Sequence, residues 1–198
     1  TQNIIYQTVH VLVRAIEAVD PYLCGQSAQT GRLAVHLAQC LGLSPEHENT
    51  LRTAANLSQI GMIQLPSQLL QKAGEVTPAE RAQMERHVED ASAVLKDIDF
   101  GLPVLDAICE MHERLDGSGY PKHLHGNQIG INGRILAVAN TFCALVRPRS
   151  YRKARSVENA LAILSTTPPQ YDPVIVQKLK QLLTTPQGKE FLKNLCSE

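Results

Sequence analysis

The chain of 198 residues carries one segment whose residue types and spacing point most directly to chemistry, Met111-His112-Glu113-Arg114-Leu115-Asp116-Gly117-Ser118-Gly119-Tyr120-Pro121. His112 is a potential metal ligand joined to a glycine-rich turn. Gly117 and Gly119, around Ser118, permit positive backbone angles, and Pro121 is expected to hold Tyr120 in an extended conformation. That describes a built loop rather than a helix end. Downstream, His123 and His125 stand at i and i+2 in Lys122-His123-Leu124-His125-Gly126-Asn127. In an extended segment such a pair faces one side, where it either captures metal adventitiously or is simply exposed.

The elements that must position these groups read as helices. Ile5, Val9, Leu12, Ile16 and Val19 form one stripe over residues 4–19, broken by Asp20-Pro21. A second helix is expected from about Ser27 to Leu41, ending at Gly42. Ser44-Pro45 opens a third towards Ser58 with an N-cap and a proline in the first turn. Thr77-Pro78-Ala79-Glu80 is a capping box, from which a helix continues through Met84, Val88, Ala91 and Leu95. Further helices are expected at roughly 102–113, 131–147, 156–165, 173–183 and 187–195, with Asp172-Pro173 repeating the cap-plus-proline device. Strand-type alternation is absent, so the fold class is all-α. The length fits a single domain over 1–198, with a core of about 5–180 and a C-terminal helical extension of about 181–198.

Nineteen basic and nineteen acidic residues leave no net charge, which argues against a bulk basic field for nucleic acid or a membrane surface. Five cysteines, Cys24, Cys40, Cys109, Cys143 and Cys196, show no CxxC spacing. The expectation is buried reduced thiols rather than a zinc site or a disulfide framework. No apolar run is long enough to span a membrane. The chain starts at Thr1 almost directly in an amphipathic pattern, as a segment of a longer protein would.

The 111–121 segment resembles the signature loop of the HD-GYP domains, bacterial metal-dependent phosphohydrolases that open cyclic di-GMP. The resemblance runs from about Ile5 to Leu179 and implies an all-α, multi-helix HD-domain-like bundle with a Gly-Tyr-Pro loop between helices. It also implies two or three divalent metal ions, such as iron or manganese, held by imidazoles and a bridging carboxylate. The family's first histidine lies in a Gly-His-Ser segment, where this chain has Gly25-Gln26-Ser27. The histidine–aspartate pair aligns with Ser58 and Gln59, and the lysine after Ile-Gly with Met62. His87 is retained in Glu85-Arg86-His87-Val88. The tandem histidines align with Met111 and His112, so only the second is kept. The final aspartate, in Val-Ala-Asp, is Asn140, and a second one a helical turn further on is Cys143.

Five of these seven aligned ligand positions (Gln26, Ser58, Gln59, Met111 and Asn140) have lost the ligand, and His87 and His112 remain. No carboxylate is left among them, and two neutral imidazoles cannot balance two divalent ions. The expectation is no catalytic residue, no metal and no cofactor. His87 and His112 are then two hydrogen-bonded core histidines, or else a residual single-metal or nucleotide contact. Arg149-Ser150-Tyr151-Arg152 resembles the family's Arg-Pro-Tyr-Arg segment. Arg149 and Arg152 are candidate phosphate contacts in a basic cluster from Arg147 to Arg155, or the cations of a solvated helix end. Gly117, Gly119, Tyr120 and Pro121 form a candidate interaction loop. The family's loop is implicated in contacts with GGDEF-type diguanylate cyclase domains, and an exposed tyrosine is a favoured anchor; the alternative is that Tyr120 tucks the loop onto the helical body.

The resulting expectation is a catalytically degenerate HD-GYP domain, bacterial and cytoplasmic, acting as a regulatory or interaction module in cyclic di-GMP signalling. The alternatives are a cyclic di-GMP phosphodiesterase or other phosphohydrolase with a rearranged site, and a receptor that binds cyclic di-GMP without cleaving it.

Overall fold

The computed structural model describes residues 25–70, 72, 74–147, 154–166 and 168–197, together with Val11 and Arg14. The predicted 4–19 helix lies outside these residues except for Val11 and Arg14, both of which are helical. The helices are α1 (Gln26–Cys40), α2 (Pro45–Leu57), α3 (Ser67–Leu70), α4 (Pro78–Glu85), α5 (His87–Leu95), α6 (Val104–Glu110), α7 (Ile131–Val146), α8 (Val157–Leu164), α9 (Pro173–Thr184) and α10 (Pro186–Ser197). Short 3-10 turns cover Ile60–Gln64 and Gly126–Gln128. Among the described residues no strand forms, only one antiparallel bridge between Asp116 and His125.

The α7 helix is apolar nearly all round, and a helix of that kind belongs in the interior. Ile135, Leu136, Val138, Ala139 and Phe142 on it have no exposed surface. It lies against α1, α2, α6, α8 and α9. Leu33 and Leu37 of α1 and Leu51 of α2 complete this core without exposure. Each such leucine contributes roughly 1.5–3 kcal/mol on burial.

A side-chain cap opens three of the described helices, α4, α8 and α9. Thr77 accepts from the Glu80 amide while the Glu80 carboxylate accepts from the Thr77 amide, which is the predicted capping box. The Asp172 carboxylate accepts from Val174 and Ile175 and starts α9. Ser44 occupies the N-cap position but its side chain makes no capping hydrogen bond. The long helix expected from Thr77 to Leu95 is instead two helices parted at Arg86. The His87 ring bonds the Met84 carbonyl at 2.7 Å, competing for an acceptor that a continuous helix would give to Val88.

This break places His87 at the start of α5, where the 3-10 turn at Ile60–Gln64 presses against it. A Cβ added at Gly61 would overlap the His87 carbonyl oxygen. The contact is backbone on backbone, and only glycine permits it. Gly61→Ala is expected to destabilise the protein by roughly 1–3 kcal/mol or more. An unchanged urea unfolding midpoint would show that the turn does not seat on α5.

Candidate functional site

Three rings meet where α5 faces the segment that follows α6. His87 and His112 have ring centroids 5.0 Å apart, edge to face. Tyr120 stacks on His112 at 4.9 Å and lies edge-on to His87 at 6.3 Å. The Tyr120 hydroxyl and His112 Nδ1 share a hydrogen bond of 3.0 Å. The Met84 carbonyl can only accept, so His87 carries its proton on Nδ1 and presents a lone pair at Nε2. Nε2 of His87 and of His112 are both buried, and neither has a partner in the structure.

Burial holds these groups neutral. It depresses the His87 basicity against the opposing effect of the Met84 carbonyl. His112 is pushed well below the ordinary imidazole value, first by burial and then by His87 and Arg114 nearby. Burial raises the Tyr120 phenol to about 12. Of the two readings of Tyr120, the geometry matches the tucked one: the ring is half-buried and ties the loop to the helical body.

The residue that shapes the loop is Glu113, which sequence reasoning passed over. It is 1% exposed, and its carboxylate accepts from the amides of Lys122 at 2.7 Å and Leu124 at 3.0 Å. Gly119 packs so closely on Glu113 that a Cβ would collide with its backbone. Gly117 has φ +77, as the glycine pattern implies, whereas Gly119 is required for the close approach. The Tyr120–Pro121 peptide bond is cis. His123 adopts φ 52, so His123 and His125 do not share an extended segment; the His125 ring instead lies over Gly117.

Two more ionic groups support the loop from outside. Glu110 accepts from the Gly130 amide at the start of α7, and burial raises its carboxyl above the ordinary value. Arg134 donates to the Ile129 and Gly126 carbonyls, to Asn127 and to Asp172. Arg114 sits over the Tyr171 ring at 4.7 Å. The only sequence signal for these roles was charge inside or beside an otherwise apolar stretch.

The remaining candidate residues fall into distinct surroundings. Gln26 Nε2 donates to Asn140 Oδ1 at 3.1 Å, joining α1 to α7. The Ser58 hydroxyl donates to the Ala55 carbonyl of its own helix. Gln59 is buried with no partner at Oε1. Met111 is in the hydrophobic core and Met62 packs partly buried against it. Cys143 is fully buried, and burial lifts its thiol to about 12. Cys109 is partly buried and Cys40 exposed, which corrects the expectation of uniformly buried thiols; both are free. Arg147 is 8% exposed rather than part of a solvated helix end. Arg149 and Arg152 lie outside the described residues. Among the described residues, no three of His, Cys, Asp and Glu come together in a metal-holding group. A cleft of about 700 Å³ opens beside Tyr120, lined by Gly74, Glu75, Val76, Arg81, Met84 and Glu85. No described helix is long and apolar enough to cross a membrane.

The family described as HD domain matches residues 10–175. A cyclic di-GMP phosphodiesterase response regulator of Xanthomonas campestris pv. campestris is 33% identical over 195 residues, covering 97% of this chain and 50% of the relative. The 3'3'-cGAMP-specific phosphodiesterase 1 of Vibrio cholerae is 33% identical over 158 residues, covering 78% of this chain and 36% of the relative. The chain thus spans half or less of the length of these relatives. Among solved structures, an HDG"Y"P protein from Bdellovibrio bacteriovorus superposes with a TM-score of 0.66 at 22% identity, over 81% of this chain and 52% of the other, which is likeness of fold.

Two measurements check the loop and its rings. Glu113→Ala leaves two amides without their acceptor, a cost of about 1–3 kcal/mol each, and fast hydrogen exchange at Lys122 and Leu124 is expected. Slow exchange in that variant would show that another group holds the loop. For His112, the unfolded chain takes up a proton near pH 6.5 while the folded chain resists it. Stability is therefore whole above that pH and lost as pH falls, by up to about 1.4 kcal/mol per pH unit. Urea midpoints of wild type minus those of His112→Phe isolate this slope; a difference that does not change between neutral and acid pH contradicts it.

Proposed function

The chain belongs to the HD domain family as an HD-GYP member, and we propose that it serves as a catalytically degenerate regulatory or interaction module in bacterial cyclic di-GMP signalling. The observation that carries this reading is the donor set. His87 and His112 are neutral imidazoles, and no described carboxylate or third imidazole joins them. Hard divalent ions in a bridged pair require anionic oxygen ligands, so these residues do not fit the two- or three-metal centre that the resemblance implies. Neither the Cys143 thiol nor the Tyr120 phenol supplies an anion near neutral pH, since burial raises both to about 12.

What remains is a rigid loop beside a cleft. The relatives named as acting on cyclic di-GMP and 3'3'-cGAMP set the signalling context. GGDEF-type diguanylate cyclase domains are the proposed partners, through Gly117, Gly119, Tyr120 and Pro121. A second reading, a receptor that binds cyclic di-GMP without cleaving it, draws on the cleft volume, which falls in the range of small-molecule sites. It also draws on the two partnerless imidazole nitrogens near Tyr120.

The test is an assay with cyclic di-GMP and 3'3'-cGAMP in the presence of manganese or ferrous iron. No turnover and substoichiometric metal in the purified protein are expected. Turnover that disappears in His112→Ala would sink the non-hydrolytic reading. Calorimetric binding of cyclic di-GMP without turnover would select the receptor.

A further inference from the structure

We propose that the Gln26–Asn140 amide pair clamps α1 to α7 where the HD-GYP resemblance implies metal ligands, so that the folded state is independent of divalent metal. The inference rests on the non-hydrolytic reading above. Gln26 opens α1 and Asn140 lies 114 positions later on α7. Both stand where the resemblance places a ligand, a histidine and an aspartate. A metal joins two helices by coordinating both and cancelling their charge. An amide pair joins them through one hydrogen bond between neutral groups and requires no counter-ion.

The surroundings are matched to a neutral link. Gln26 is 2% exposed, and next to it on α1 stands the uncharged Ser27, equally buried. On α7, Ala139 and Cys143 are fully buried, and Cys143 keeps its proton because burial raises its thiol to about 12. Asn140 itself is half-buried, and the charged group near Cys143 is Arg147. The same device recurs on α2, where His47 Nδ1 donates to Asn132 Oδ1 of α7 at 2.8 Å. Asn132 is nine-tenths buried. Two side-chain bonds thus reach the central helix from α1 and α2, the helices that also flank it in the core.

The experiment is thermal unfolding of the whole chain in excess chelator and in excess manganese. Wild type, Gln26→Ala, Asn140→Ala and the double variant are compared. Wild type is expected to melt at the same temperature in both solutions. Each single variant is expected to melt about 2–4 °C lower, the shift that one lost interaction produces in a chain of this size. The double variant should melt no lower than about the weaker single one, because both substitutions remove the same bond. A wild type that melts lower in chelator overturns the inference together with the non-hydrolytic reading. Additive losses in a chelator-insensitive protein overturn the amide clamp alone. Asn140→Asp keeps the side-chain shape and covers failure of the alanine variants to fold. It retains an oxygen to accept from Gln26 Nε2 and should melt above Asn140→Leu, which has none; equal melting of the two overturns the clamp.

Discussion

A carboxylate removed from water must be met by donors, and at Glu113 those donors are the amides of the chain's own returning loop. Most of the candidate site follows from that one arrangement. The two amides fix where Lys122 and Leu124 lie, and Gly119 then has no choice but to lie flat on the Glu113 backbone. Tyr120, one residue on, is delivered onto His112, and His112 onto His87. The loop is thus organised from within by a buried charge on its own N-terminal side. Its outer anchors, Glu110 and Arg134, fasten it to the start of α7 and to the cap of α9.

Neutrality is the theme of the interior around these rings. Burial penalises the charged forms of His87, His112 and Tyr120 at the rings, and of the Cys143 thiol on α7. The amide pair between α1 and α7 belongs to the same pattern.

Helix starts were legible where a residue's own side chain or ring does the work, as at Thr77-Pro78-Ala79-Glu80 and Asp172-Pro173. The break at Arg86 was not, because Met84, Val88, Ala91 and Leu95 keep helical spacing across it while a ring-to-carbonyl bond interrupts the axis. His87, His112 and the loop were readable as a pattern of residue types. The burial of Glu113 and Arg147 and the half-burial of Glu110 were not, since charged residues ordinarily mark surface and backbone donors leave no trace in side-chain identity. The pairing of Gln26 with Asn140 spans 114 positions and no local periodicity encodes it. The 3-10 turn at Ile60–Gln64 was missed for a related reason: Gly61 marks a close approach without naming what approaches.

Tyr120, packed flat on His112, also gives the molecule a private optical signal. The chain has no tryptophan to drain the excitation of its tyrosines. Ultraviolet emission therefore belongs to the phenols, and the one held in an imidazole stack differs in surroundings from Tyr171 beneath a guanidinium. A partner that lifts the loop would change that glow without any label being attached.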